Sequence, residues 1–299
     1  MALLATKYLA AGAMLLTASV LSAQAAPAKP ACDVGETAKG NAARATLSVN
    51  LARDAASPAV ASTNLKNAVK LVDHLEKGDD PVTNAYVLGT ALSLWGNQPG
   101  VGLTPKRGAL GFNTNPEGTL DLPTTLDSLF KIVEVARPNC SDYTAYWRAG
   151  QKFYLDVVNG AINSLNADKL DSAEYFAGQA NKLYAGSPYG DMVIGSVASK
   201  KGNNPRAIEY WSKAAEVAGK DTTYRDVRRQ MLANIGSSYM DAANAASGAD
   251  KVANARKAAE IYEQLIAMPG SRGSYLTGGR VQLQTVCRES SLQACRTRS

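Results

Sequence analysis

A spacing of 34 residues constrains this chain more than any other feature of it. Ala161, Ala173 and Ala180 recur 34 residues later as Gly195, Ala207 and Ala214. Small residues repeated at one interval within helical patterns mark close helix crossings, because a side chain larger than a methyl would push the helices apart. Ile194-Gly195 is followed by Ile235-Gly236, and Ala207, Trp211 and Ala214 by Ala258, Tyr262 and Leu265. The later unit carries roughly ten extra residues between its helices, where lengthening costs least, and Pro269 closes it. Upstream, Leu88-Gly89 reads as another first helix, and Ala68, Val72, Leu75 and Pro81 as another second helix. A hairpin of this size cannot bury its apolar face alone and must stack on its neighbours.

Apolar residues three and four apart, broken at Pro, Gly, Asn and Asp, predict an all-α chain. The expected helices run Glu36 to Ala55, Ser62 to Lys77, Val82 to Trp95, Pro123 to Ala136, Asp142 to Asn166, Lys169 to Ala185, Tyr189 to Lys201, Pro205 to Ala218, Thr222 to Ala246 and Lys251 to Met268. They pair into five hairpins. One long non-helical insertion, residues 97–122, interrupts them. Its Pro and Gly residues separate the short apolar pieces Val101-Gly102-Leu103, Ala109-Leu110-Gly111-Phe112 and Thr119-Leu120, enough for a small hairpin. It reads either as an arm that touches a partner or as a tolerated surface insertion.

Ile194-Gly195, Ala207, Trp211 and Ala214, then Ala258, Tyr262 and Pro269, resemble the tetratricopeptide repeat family. In that family a hairpin carries a small residue in its first helix, then an alanine, an aromatic, a second alanine and an exit proline in its second. The unit at Ala161, Ala173 and Ala180 departs from the pattern, with Ala177 where an aromatic is usual and no exit proline. The resemblance implies a right-handed α-solenoid of about five hairpins that binds a protein on its concave face. Family register puts Tyr86, Thr90 and Ser93, then Tyr189, Met192, Ser196 and Lys200, then Gln230, Ala233, Ser237 and Met240 on that face. With Lys200 its single cation, this groove suits a largely neutral protein segment rather than an acidic tail.

The first residues carry one lysine, Lys7, followed by an apolar run from Tyr8 to Leu21 and Ser22-Ala23-Gln24-Ala25, which reads as a cleavable export signal over residues 1–25. A flexible segment is expected over 26–35, the repeat domain over 36–268 and a cysteine-containing tail over 269–299. The expected product is exported and periplasmic, without a transmembrane segment. The net charge is +6, or +5 without Lys7, with no dense basic run to track nucleic acid. Four cysteines in an oxidising compartment imply disulfides, with three connectivities possible. Cys287 and Cys295 would lie about 12 Å apart in one helix, beyond the roughly 7 Å that a bridge spans, so their pairing needs a turn at Glu289-Ser290-Ser291. Cys32 with Cys140 is then the complementary pair.

Catalytic patterns are sparse. His74 is the single histidine, beside Asp73, and suits a structural role better than a triad or a metal site. Arg225, Arg228 and Arg229 form a short basic stripe that reads as a solvated face. Glu289-Ser290 superficially matches a peptidoglycan-cleaving motif, but no globular domain follows to raise that carboxyl's pKa. The expectation is therefore a scaffold that is not an enzyme and takes no cofactor or metal. A superhelical peptidoglycan-acting enzyme and a structural component of an envelope assembly are the alternatives.

Overall fold

In the computed structural model, which describes residues 32–36 and 38–269, the protein is all-α, with no strand among the described residues. No described helix is long and apolar enough to cross a membrane. Helix α1 (Gly40–Arg53) packs on α2 (Pro58–Val72), and α3 (Pro81–Gly96) on α5 (Leu122–Ala136), with the single-turn α4 (Arg107–Leu110) between them. After the short α6 (Ser141–Ala149) come three further pairs: α7 (Lys152–Asn166) with α8 (Leu170–Leu183), α9 (Tyr189–Lys200) with α10 (Asn204–Gly219), and α11 (Arg225–Ala245) with α12 (Gly248–Ala267). From α7 onward each helix also packs on the next in sequence. The export signal, Cys287, Cys295 and Glu289 lie outside the described residues.

Local chemistry sets the helix starts. The Ser57, Asp80, Asp121 and Asn203 side chains accept hydrogen bonds from backbone amides of the first turn, and each is followed within two residues by Pro58, Pro81, Pro123 or Pro205. The cap satisfies an orphan donor and the proline supplies a helical φ where its missing N–H costs nothing. Helix α2 therefore starts four residues before the expected Ser62.

Three glycines fix the crossings. A Cβ on Gly195 would sit 2.5 Å from Trp211, one on Gly236 2.8 Å from Tyr262, and one on Gly89 2.8 Å from Phe130. The α3–α5 pair therefore uses the same device as the later pairs, and the 97–122 insertion lies inside a hairpin rather than between hairpins. In the α7–α8 pair the lock is displaced by one residue on both helices, with Gly160 facing Phe176 at 3.3 Å. Ala177, where an aromatic is usual, is buried, as are Ala161, Ala173, Ala180, Ala207, Ala214 and Ala258. Pro269 is exposed just after α12.

Other expectations change as well. The single helix expected from Asp142 to Asn166 is broken between α6 and α7, where Gln151 is extended. Asn97, at the end of α3, accepts from Phe153 N at 2.9 Å and donates to Gln151 Oε1 at 3.0 Å, so a distant amide caps the new helix. The 97–122 insertion, expected to be non-helical, contains the single-turn α4, while its legs form the small hairpin that its short apolar pieces predict. Its legs pair antiparallel through Leu122 N to Leu103 O, Leu120 N to Pro105 O and Arg107 N to Gly118 O, around a single bridge at Lys106 and Thr119. Its tip is fastened to α2 and α3: Trp95 Nε1 donates to Leu110 O at 3.0 Å, and the covered Asp73 carboxylate accepts from Asn113 N at 2.7 Å and Thr114 N at 3.3 Å. Gly111, at φ +106°, lies so close to α2 that a Cβ would fall 2.6 Å from Lys66 O.

Cys32 and Cys140 form a disulfide that ties the start of the described chain to the α5–α6 junction. Cys32 and Val34 are buried with Ala85 and Val133, so this part of the segment expected as flexible is packed.

Candidate functional site: an aromatic cleft on α6

Helix α6 has nine residues, too few to be stable alone. It is held from three directions. The Cys32–Cys140 bond anchors its N-terminal end. Thr144 Oγ1 donates to Glu134 Oε1 at 2.6 Å. Arg148 is buried, donates to Asp127 Oδ1 at 2.8 Å and to Leu183 O at 3.3 Å, and places Nε 3.3 Å from Glu134 Oε1. Burial alone would raise the Asp127 carboxyl, but hydrogen bonds and charge from Lys131 and Arg148 outweigh it and hold the pKa below the usual range.

The outward side of this helix is aromatic. Tyr143 and Tyr146, three residues apart and so on one face, are 49% and 57% exposed. They line a cleft of about 400 Å³ with Trp147, Tyr86, Arg53 and Asp142. Trp147 packs edge-on to Tyr146 at 5.3 Å and donates Nε1 to the Tyr86 hydroxyl at 3.2 Å. Gly35 backs the Tyr86 ring, where a Cβ would come within 3.2 Å. Burial raises the Tyr86 phenol, the bond from Trp147 opposes this, and Tyr143 and Arg53 lie near enough to act on the same group. The cleft combines large apolar walls with phenol and guanidinium donors and one carboxylate, and its two formal charges are opposite.

The groove residues expected from sequence separate into three groups. Tyr86 lines the aromatic cleft. Thr90 and Ser93 are closed off, at 4% and 1% exposure: Thr90 Oγ1 donates to Val87 O and Ser93 Oγ to Trp147 O. They fail as contact residues because α3 is surrounded by α1, α2, α5 and α6, which a family register does not anticipate. Tyr189, Met192, Ser196 and Lys200 lie on α9, and Gln230, Ser237 and Met240 on α11. Ser196 Oγ donates to Met192 O and faces Trp211 Nε1 at 3.4 Å, while Lys200 is paired with Asp168 at 2.9 Å. Met192 and Met240 are half-buried against the packing clusters, and Gln230 and Ser237 are exposed.

Sequence reasoning missed Arg53, Tyr143, Tyr146 and Trp147. Three aromatics in five residues just after a cysteine were a usable signal, obscured by reading the stretch as the start of one long repeat helix. A second cleft, also about 400 Å³, lies between the Gly96 to Leu103 loop and α7, but its Lys152 and Asp156 charges pair with each other. His74 Nδ1 donates to the Asp73 Oδ1 carboxylate oxygen at 2.6 Å, in a helix-end contact rather than a reactive arrangement. The chain matches no family model, no curated protein and no solved structure in such comparisons.

Proposed function

We propose that this chain is an exported, tetratricopeptide-like scaffold that binds a largely neutral protein segment, with the α6 cleft as its principal contact. The carrying observation is the pair of half-exposed tyrosines on a short helix anchored by a disulfide and a buried arginine. Tyrosine and tryptophan supply contact area at small cost in conformational entropy, and a rigid platform reduces what binding must order. The opposite charges of Arg53 and Asp142 suit a neutral ligand. On this reading the helix pairs continue as a right-handed α-solenoid, and Tyr189, Met192, Gln230, Ser237 and Met240 extend the contact along its concave face. The Cys32–Cys140 bond supports an oxidising, periplasmic location.

The test compares envelope proteins retained by the wild type, by Tyr143→Ser/Tyr146→Ser and by Tyr175→Ser, which alters an exposed tyrosine on α8. A partner lost only with the α6 variant supports the scaffold. Retention that is indifferent to both tyrosine sets rejects it.

A further inference from the structure

We infer that the outer face of the α1–α2 hairpin docks on the surface of an anionic lipid bilayer. This surface is separate from the α6 cleft and does not rest on the scaffold reading. Helix α1 is inverted in its use of apolar residues. Its buried apolar positions are Ala42, Ala45, Val49 and Ala52, while its two leucines, Leu47 and Leu51, are 60% and 52% exposed. The leucines are four residues apart and share a face. Each stands two residues from Val49, about 200° round the helix from that buried side. A helix that packs only against its own fold turns its large apolar residues inward. Val60, in the first turn of α2, is 50% exposed, and the neighbouring Ala56 and Ala59 are exposed as well. Helices α1 and α2 both pack on α3, so their sides away from it make one outer surface.

The same hairpin concentrates positive charge. Residues 39–72 hold five cations, Lys39, Arg44, Arg53, Lys66 and Lys70, against one acid, Asp54, a net charge of +4. Residues 73–269 hold 20 basic against 22 acidic residues, a net charge of −2. Arg53 and Asp54 pair with each other at 3.5 Å. Lys39, Arg44, Lys66 and Lys70 are exposed and make no ion pair among the described residues.

Charge and leucines together select the occupant. A nucleic acid or a small anion would answer the charge and leave the leucines in water. A neutral apolar groove would cover the leucines and leave the cations without counter-charge. The interface of an anionic bilayer answers both, since acyl chains take the leucines while headgroup phosphates meet lysines and arginines held on long flexible stems. It also conforms to a surface without a groove: Leu47, Leu51 and Val60 line neither of the clefts that Lys39, Arg44 and Arg53 border. An acidic groove on another protein is the competing occupant.

The experiment follows co-flotation of the purified protein without residues 1–25, the expected mature form, with vesicles of phosphatidylcholine alone or mixed with phosphatidylglycerol. Binding to the mixed vesicles is expected at low salt, with most of it lost at high salt, and binding to phosphatidylcholine alone is expected to be at least about tenfold weaker. Leu47→Ser/Leu51→Ser is expected to weaken binding at least about tenfold, and Lys66→Gln/Lys70→Gln about five- to thirtyfold. Ile132→Ser/Val135→Ser, which alters an exposed apolar pair on α5, should bind as wild type does. All of these positions are exposed, and circular dichroism confirms that each variant is folded. The inference is overturned if the mixed vesicles carry no protein, if phosphatidylcholine alone carries as much, if the leucine variant binds as tightly as wild type, or if the α5 variant falls as far. Capture of an acidic envelope protein that requires Leu47 and Leu51, alongside failed flotation, would overturn it too and give this face to a protein.

Discussion

Replacing Gly195 with alanine tests the helix-crossing argument, because two opposing effects have known sizes. Alanine inside a helix is normally worth about 0.5–1 kcal/mol over glycine. Here the added methyl would lie 2.5 Å from Trp211 Cδ1 and 2.8 Å from Nε1, and the obstacle is a rigid, buried indole rather than the tip of a flexible chain. Overpacking of this kind costs about 1–3 kcal/mol, so the net effect should be a loss of about 1–2 kcal/mol. In a domain of this size that lowers Tm by about 2–8 °C. Gly178→Ala is the matched control: it lies in α8 with nothing within 4 Å of its added methyl, and should raise Tm by about 1–4 °C. Thermal melts followed by far-ultraviolet circular dichroism separate the two. A Gly195→Ala protein as stable as Gly178→Ala would refute the crossing argument. In a double-mutant cycle with Trp211→Leu, the penalty at position 195 should largely disappear.

Replacing Cys32 and Cys140 with serine opens a link between residues 108 apart and should cost about 2–5 kcal/mol in urea unfolding. Arg148→Met should cost about 2–3 kcal/mol in the same assay, less than a fully buried pair, because Asp127 and Glu134 keep some contact with water. The Asp73–His74 contact makes two signed predictions. The bond to Asp73 raises the His74 pKa above 6.5, so its stabilising contribution is complete below 6.5 and lost as pH rises through the folded value. Burial would raise Asp73, but the bonds from His74, Asn113 N and Thr114 N hold it below 3.8, so its contribution is present above 3.8 and lost as pH falls through the folded value. In an NMR titration His74 should move back toward 6.5 in Asp73→Asn, and the Asn113 and Thr114 amides should lose exchange protection.

What the sequence made legible follows contact range. Helices with a cap, a proline and regular apolar spacing, such as α3 and α10, were readable because those signals act within one turn. The Gly195–Trp211 and Gly236–Tyr262 crossings were readable because close packing forces a small residue at a fixed interval. The break before α7 was not, since its cap is Asn97, more than fifty residues away. The fold of 97–122 was hidden for the same reason: Asp73 and Trp95 hold it from other elements. At the candidate site, Tyr86, expected on a concave groove, lines the α6 cleft instead, whereas Thr90 and Ser93, expected on the same groove, are buried because α3 is enclosed by its neighbours, α6 among them, outside any repeat register. The exposed tyrosines of α6 are displayed by an element that interrupts the pattern from which the groove was inferred.

The most direct test of the binding account is photocrosslinking from a single position in the intact envelope, with benzoylphenylalanine at Tyr146 or, in a separate strain, at Tyr175. Both tyrosines are exposed, one on α6 beside the cleft and the other on α8. Binding through the cleft predicts a discrete protein adduct from position 146 that is absent from position 175 and is lost when Tyr86 and Tyr143 are also replaced. No adduct from position 146, or the same adducts from both positions, would contradict it.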